Sequence, residues 1–173
     1  QYSIAIKRNL SLEKNVFIYF YRLMKPFIAF DAKRLAGNRT GLGNYARYVV
    51  DACMEHNTEF DMMLLVPNAY KKSTFIKDYT DKPCTIIYYP DFFGIGRSVV
   101  LESYLPKRKG LLHGLSNEIP FQNNRKDIKR VVTIHDIIHK HRPKDFAALD
   151  RFFYGIKTKH AIQHADLIIA ISE

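Results

Sequence analysis

The sequence predicts an α/β fold with a doubly wound, mostly parallel sheet and helices on both faces. Three observations lead to this prediction. Short apolar runs alternate along the chain with helical patterns and polar loops. The runs are apolar throughout, as in strands that are buried on both faces of a parallel sheet. Polar residues follow the ends of these runs, where open α/β sheets bind their ligands. A length of 173 residues suits one domain with a proper core.

The first strand and the first helix form the clearest unit. The apolar run 27–30 ends at Asp31 and predicts a strand. A polar loop over 32–43 follows. The next segment has helical spacing, with one face formed by Tyr45, Tyr48, Val49, Ala52, Cys53 and His56. On the other faces lie Asn44, Arg47, Asp51 and Glu55.

The loop before this helix carries Gly41, Leu42 and Gly43. Backbone N–H groups at such a position, together with the positive end of a helix dipole, favour an anion and commonly a phosphate. Glycine permits a positive φ and lets a ligand approach where a Cβ would block it. The alternative is that Gly41 and Gly43 only shape a tight turn between the strand and the helix.

Five further strands and three further helices complete the prediction. The strands are expected at 61–66, 85–89, 111–113, 130–134 and 166–171. The helices are expected at 70–79, 98–105 and 145–164, with Ser98 as the N-cap of the second. The inward face of the last helix is predicted to comprise Leu149, Phe152, Phe153, Ile156 and His160.

Polar side chains mark the carboxyl ends of the predicted strands. Because parallel strands end at the same edge of a sheet, these residues are expected to converge on one edge. They are Asp31, His113, Asn117, Glu118, His135, Asp136 and Ser172. His135 closes a buried strand, where catalytic groups usually lie, and a structural histidine bonded to a neighbouring loop is the alternative.

Two other kinds of site, for a dinucleotide and for a metal, match the sequence only in part. Residues 41–46 satisfy G-x-G-x-x-A formally, but the first glycine does not follow the strand directly, and Asp61 opens the second strand instead of closing it. Both features disfavour a dinucleotide cofactor. Residues 135–141 hold His135, Asp136, His139 and His141 without a zinc-binding spacing such as HExxH. We therefore expect neither a metal nor a cofactor.

The composition narrows the setting and the partners. Lysine and arginine outnumber acidic residues by 27 to 17, a net charge of +10 that favours anionic partners or indicates only a basic surface. No recognisable nucleic-acid module is present, so nucleic acid is not an expected partner. Two cysteines give no disulfide framework, and no run is long enough to span a membrane. We expect a cytoplasmic protein.

Residues 1–23 fit poorly with the segments that follow. Their pattern is irregular, and Met24 stands just before the first strand. We interpret this segment as a leader or extension, with Met24 as the natural start. The alternative is a basic, aromatic anchor at a membrane interface, because residues 16–25 read VFIYFYRLMK.

Four motifs in order resemble a known family. They are FDAKRLAGNRTGLGNYARYV, LLHGLSNEIP, RVVTIHDIIH and HADLIIAISE. Their succession over residues 24–173 resembles the N-terminal domain of family-4, or group 1, retaining glycosyltransferases. The resemblance implies a Rossmann-like domain that forms the N-terminal half of a GT-B fold. It also implies transfer of a sugar from a nucleotide-sugar donor to a glycan or lipid-linked acceptor, in cell-surface polysaccharide synthesis.

The resemblance also implies roles for particular residues. The loop at Gly41, Leu42 and Gly43 would approach the donor diphosphate. His135 would contact the transferred sugar near the reaction centre, and Asp136 would orient that loop. The acceptor and sugar pockets would involve His113, Asn117 and Glu118. GT-B enzymes commonly need no metal.

One departure from the family is large. The family's donor-binding C-terminal domain, with its glutamate pair spaced by seven residues, is absent from these 173 residues. We therefore expect a fragment that is inactive alone and whose partners are the missing domain, a nucleotide-sugar and an acceptor. Peripheral contact with an anionic inner membrane face is a further hypothesis. The alternative is a non-catalytic Rossmann-like module that binds a phosphate or a glycan.

Overall fold

The computed structural model describes residues 25–90, 101–121, 125–135 and 148–171. Six strands form one sheet in the order β3-β2-β1-β4-β5-β6, and every neighbouring pair is parallel. The strands are β1 Phe27–Asp31, β2 Asp61–Pro67, β3 Cys84–Tyr89, β4 Gly110–Gly114, β5 Ile128–Ile134 and β6 Leu167–Ala170. The predicted α/β class and all six predicted strands are confirmed.

Helical segments connect these strands. The α-helices are α1 Lys33–Gly37, α2 Gly41–His56, α3 Thr74–Lys77 and α4 Ala148–His164. Two 3₁₀ turns span Asn68–Tyr70 and Leu101–Tyr104. The helical segments lie on both faces of this parallel sheet, which gives a Rossmann-like doubly wound fold.

The strand order places the centre of the sheet between β1 and β4. The chain moves outward from β1 to β2 and β3, and then returns to β4 on the other side of β1. This reversal is the topological switch point, where the loops after the two central strands leave in opposite directions and open a crevice. The carboxyl ends of β1 and β4 therefore border the position at which open α/β sheets bind ligands.

Apolar side chains fill both faces of the sheet. One cluster packs α1 and α2 onto the sheet and includes Phe30, Leu35 and Val50, all fully buried. The cluster on the opposite face includes Phe27 and Leu112, with Leu101 from the second 3₁₀ turn. Because alternate residues of a strand point to opposite faces, Phe27 and Phe30 of β1 enter different clusters.

The glycine loop is shorter than predicted. Residues 33–37 of the expected loop form α1, and α2 already begins at Gly41, so the glycines belong to its first turn. Neither Gly41 nor Gly43 adopts the positive φ that glycine permits. Glycine is required at 43 for another reason: a Cβ there would lie 1.8 Å from the carbonyl oxygen of Asn38.

Two predicted helices are only partly present. The segment 70–79 divides into the turn Asn68–Tyr70 and the short α3, which begins after Ser73 in an extended conformation. Of the segment 98–105, the described part forms the turn Leu101–Tyr104, and Ser98 lies outside the described residues.

The predicted inward face of α4 is wrong at Phe152, which is 61% exposed. The helix contacts the sheet through Thr158 and Ala161, which are fully buried. At 100° per residue, Phe152 lies on the opposite side of the helix from Ala161. Phe153, Ile156 and His160 are half-buried, and the side chain of Leu149 lies outside the description.

Candidate functional site

The start of α2 presents backbone amides that the described residues do not use. Thr40 precedes the helix in an extended conformation and makes no side-chain cap. Gly43 and Asn44 donate to the Thr40 carbonyl. Within the described part of the chain, the amides of Gly41 and Leu42 have no acceptor. A Cβ built at Gly41 would meet nothing within 4 Å. The positive end of the helix dipole is therefore accessible there.

Asn38 holds this first turn from below. Its Oδ1 accepts hydrogen bonds from the Thr40 amide at 2.7 Å, the Thr40 hydroxyl at 2.7 Å and the Gly43 amide at 3.3 Å. The Asn38 side chain thus satisfies donors that a helix start normally leaves open. It uses Thr40 and Gly43 and leaves Gly41 out.

Arg47 fixes the segment that joins α1 to α2. Its Nη1 donates to the carbonyl oxygens of Leu35 at 2.9 Å and Asn38 at 3.0 Å, and its Nη2 donates to Asn44 Oδ1 at 2.6 Å. Its guanidinium lies 4.0 Å from the centre of the Phe75 ring. One side chain therefore ties the end of α1 to the first turns of α2.

His135 follows β5 and is held by the loop after β4. Its backbone N–H donates to Asn117 Oδ1 at 2.8 Å. Its ring Nε2 lies 2.8 Å from the carbonyl oxygen of Leu115. A carbonyl oxygen only accepts, so Nε2 carries a proton. Asn117 has a φ of 57°, a left-handed conformation that asparagine tolerates, and its N–H donates to Thr133 at 2.9 Å.

A chain of three side chains runs beneath His135. The Tyr45 hydroxyl lies 3.1 Å from Thr133 Oγ1, and His113 Nε2 lies 2.9 Å from the same oxygen. The His113 ring also lies 5.8 Å from the ring of Phe30 on the adjacent strand β1. Burial lowers the pKa of His113 to about 4, so its imidazole is neutral at pH 7.

Tyr45 links the helix start to His135. The two rings meet edge to face, with 4.7 Å between their centres and an interplanar angle of 85°. Tyr45 comes four residues after Gly41, one helical turn along the same face of α2. The first turn of α2 therefore lies at the carboxyl edge of the sheet, near the end of β5.

Glu118 is buried and forms an ion pair with Lys157 of α4, at 2.9 Å between Oε2 and Nζ. The neighbouring Gly114 allows this loop to turn tightly, because a Cβ there would lie 2.0 Å from the Glu118 carbonyl oxygen. Lys157 of α4 thus neutralises the charge of the Glu118 carboxylate.

The structure brings most of the predicted site residues to one edge of the sheet. Gly41, Leu42 and Gly43 form the helix start, and His113, Asn117, Glu118 and His135 belong to the connected ends of β4 and β5. Asp136, His139, His141 and Ser172 lie outside the described residues. Whether these groups bind a diphosphate or a sugar stays a prediction.

Four residues of this region were not singled out from the sequence: Asn38, Tyr45, Arg47 and Thr133. Thr133 carried a usable signal, because it is a polar residue between Val132 and Ile134 near the carboxyl end of a predicted strand. The helical spacing assigns Tyr45 to one face of the helix, but nothing local indicates that its hydroxyl reaches β5. The partners of Asn38 and Arg47 depend on the tertiary approach of α1 to α2.

In the described ranges, no group of three or more histidine, cysteine or acidic side chains could hold a metal ion. None of the described helices is long and apolar enough to cross a membrane. A separate cavity of about 670 Å³ lies at the opposite, amino edge of the sheet and is lined by residues that include Lys25, Met62, Cys84 and Arg108.

Comparison of the chain with protein-family models, with curated proteins and with solved structures gives no match.

Proposed function

We propose that this chain is the N-terminal, acceptor-side domain of a retaining glycosyltransferase of the GT-B fold. The observation that carries the proposal is the contact between Tyr45 and His135. It brings the start of α2, where the Gly41 amide is open, together with a histidine at the end of β5. These groups come from two separate motifs of the resemblance, and a transferase needs both on one side of the crevice.

In the proposed reaction the amides of Gly41 and Leu42 face the diphosphate of a nucleotide-sugar donor. Negative charge develops on this diphosphate as the bond to the sugar breaks. Fixed N–H donors and a helix dipole stabilise such charge without having to reorganise. The open space beside Gly41 suits this role, because a phosphate oxygen could occupy the position that a side chain would fill.

His135 contacts the transferred sugar in this proposal. The bond from Nε2–H to the Leu115 carbonyl oxygen gives the ring one orientation at the end of β5. Asn117 holds the backbone of His135 in place, and Asp136 is proposed to orient the loop that follows.

The remaining predicted residues, His113 and Glu118, are buried beneath the site. His113 is buried and reaches the site through Thr133 and Tyr45, whereas Glu118 is paired with Lys157. We propose that they shape the acceptor and sugar pockets from beneath. The donor is a nucleotide-sugar, the acceptor is a glycan or a lipid-linked glycan, and the net charge of +10 suits an acceptor carrying phosphate. A donor-binding domain is the proposed partner, with no metal and with peripheral contact to an anionic membrane.

Sugar transfer by the natural polypeptide that contains this chain is the direct test. Radiolabelled UDP-, GDP- and ADP-sugars are supplied with polyprenyl-phosphate-linked glycan acceptors, and the anomeric configuration of the product is measured. We expect transfer with retention. His135→Ala and Gly41→Val are expected to lower the rate at least tenfold, within the usual range for losing a positioned polar group.

Gly155→Ala provides the matched control for the glycine substitution. Gly155 lies on α4, and a Cβ there also meets nothing within 4 Å. It should leave the rate unchanged. Absence of transfer from every donor, or wild-type turnover in both site variants, would contradict the proposal.

A non-catalytic module that binds a phosphate or a glycan is the second candidate. The observation that favours it is that the Gly41 and Leu42 amides have no acceptor among the described residues. Such a module would bind inorganic pyrophosphate at these amides and would support no transfer with any donor. Binding without turnover in the natural polypeptide would therefore select this function.

A further inference from the structure

Tyr45 makes two separate contacts with the end of β5. The edge-to-face contact joins its ring to His135, and the hydroxyl bond joins its phenol oxygen to Thr133. Thr133 is fully buried, so the second contact is sheltered from water. Both contacts come from one side chain in the first half of α2.

The same helix offers a tyrosine without such contacts. Tyr48 lies three residues further along α2 and is 73% exposed. The sequence pattern assigned Tyr45 and Tyr48 to the same helical face. Of these two tyrosines, only Tyr45 has a polar partner on the sheet among the residues that the structure describes, so the difference is due to tertiary contact and not to residue type.

We propose that Tyr45 is a positioning residue that sets where the Gly41 and Leu42 amides lie relative to the imidazole of His135. The inference rests on the proposed function, because it concerns the two groups that this function uses. Gly41 precedes Tyr45 by one helical turn, and Thr133 precedes His135 by two residues of an extended strand. A displacement of the helix start would break the Tyr45 contacts before it separated the two groups.

The direction of the hydrogen bonds gives this network a signature. In the proposed network the Tyr45 hydroxyl, a phenol and the stronger acid, donates to Thr133 Oγ1, and the Thr133 hydroxyl donates onward to His113 Nε2. The proton of neutral His113 is then carried on Nδ1. Removal of the Tyr45 hydroxyl frees Thr133 to accept from His113, which shifts the imidazole towards the Nε2–H form.

The test uses the ¹⁵N-labelled chain with four substitutions: Tyr45→Phe, Tyr45→Leu, Tyr48→Phe and Tyr48→Leu. Two quantities are measured without ligand, the ring ¹⁵N shifts of His113 and the amide exchange rate of His135. Tyr45→Phe should move the His113 ring shifts towards the Nε2–H form and leave the exchange of His135 within about twofold of wild type. Tyr45→Leu should also raise the exchange of His135 by about tenfold.

The two Tyr48 variants should match wild type in both quantities. Exchange at Leu64, a buried residue of β2, separates local release from global destabilisation. A rise at Leu64 equal to the rise at His135 would show a merely structural role and overturn the proposal. The proposal also fails if the Tyr45 and Tyr48 variants give the same His113 shifts and the same His135 exchange.

A titration with inorganic pyrophosphate completes the experiment. If the wild-type Gly41 and Leu42 amides bind pyrophosphate, Tyr45→Leu should weaken that binding about fivefold or more, because the amides lose their fixed position. A fivefold loss corresponds to about 1 kcal/mol. Unchanged affinity in that variant would contradict the positioning role. A wild-type chain that does not bind pyrophosphate would count against the proposed function, while the ligand-free measurements would still decide the role of Tyr45.

Discussion

The two edge strands of the sheet are covered to different extents. On β3, Ile86 and Tyr88 pack against the cluster of α1 and α2, whereas Ile87 and Tyr89 pack against the cluster on the other face. On β6, Leu167 is 57% exposed and Ile168 is 41% exposed. In the described residues, the apolar clusters include no residue of β6.

The difference shows that burial of an edge strand depends on what covers its two faces. Tyr89 of β3 is fully buried and lies 6.1 Å from the Tyr104 ring, centre to centre. Tyr104 belongs to the turn Leu101–Tyr104, so that turn covers one face of β3. The equally apolar sequence of β6 has no such cover among the described residues. Apolar composition alone therefore does not distinguish the two edges.

Breaking the anchor of the turn that covers β3 should give the largest effect. Glu102 in this turn is buried and forms an ion pair with Arg130 of β5, at 2.6 Å between Oε1 and Nη2. Burial raises the pKa of the Glu102 carboxyl, and the nearby Arg130 opposes that shift. Glu102→Ala leaves the Arg130 guanidinium buried without its counter-charge. We expect a loss of about 3–5 kcal/mol in the free energy of unfolding, measured by urea denaturation.

Glu102→Gln is the control for this substitution. It keeps the side-chain volume and one hydrogen-bond acceptor for Arg130, so a smaller loss is expected. Loss of the near-ultraviolet circular dichroism of Tyr89 and Tyr104 would indicate that the turn no longer covers β3. Equal stabilities for Glu102→Ala and wild type would show that the ion pair does not anchor the turn.

The next prediction concerns the pH dependence of stability, which we attribute to His113 on the central strand β4. Burial lowers the folded pKa of His113 on β4 to about 4, from about 6.5 for an exposed histidine. The unfolded chain thus binds more protons between these values. Stability should be complete above pH 6.5 and should fall by about 3 kcal/mol as the pH drops to 4, at 1.36 kcal/mol per unit.

Urea denaturation at several pH values measures this dependence. His113→Gln should flatten the decline, whereas His56→Gln, which replaces an exposed histidine on α2, should preserve it. His160, whose pKa is also lowered by burial, contributes in the same direction and remains in both variants. A decline of equal size in both variants would assign it to groups other than His113.

A matched pair of isoleucines compares the two edges directly. Ile87→Ala on β3 removes a side chain packed against a core cluster, and we expect a loss of about 2 kcal/mol. Ile168→Ala on β6 removes one that is 41% exposed, and we expect a loss below about 1 kcal/mol. Denaturation of both variants under one set of conditions gives the ratio. Equal losses would mean that β6 is covered in solution.

The fold was largely predictable because the positions of the strands are encoded in local composition, although their burial at the two sheet edges is not. All six strands and the parallel arrangement followed from continuous apolar runs and their spacing. The start of α2 and the extra helix α1 were not predicted, because helix nucleation at Thr40 depends on Asn38 folding back beneath it. Phe152 was misplaced because the sheet contacts small residues of α4, Thr158 and Ala161, which a search for large apolar residues overlooks.

The candidate site was predictable only in part. Strand ends place His113 and His135 at one edge, since all strands are parallel. The partners of these histidines come from positions far away in sequence, such as Tyr45 with Thr133. The helical period of 3.6 residues places Tyr45 and Tyr48 on the same face, although Tyr45 is hydrogen-bonded to the sheet and Tyr48 is 73% exposed. Tertiary packing determines which of the two tyrosines contacts the sheet.

Two exposed ion pairs, one beside each edge strand, give the smallest expected effect. Lys82 and Asp51 lie beside β3, and Lys129 and Asp166 lie beside β6, each pair at 2.7 Å between nitrogen and oxygen. Lys129 lowers the pKa of the Asp166 carboxyl, but its own side chain is 71% exposed. Water and salt screen both pairs, so double-mutant cycles should give coupling energies of about 0–1 kcal/mol at either edge, weaker at 0.5 M salt than at low salt. Because the pairs are similar, we expect any difference in edge stability to come from the apolar cover. A coupling energy several times larger at β3 than at β6 would instead mean that charge pairing contributes to the difference between the edges.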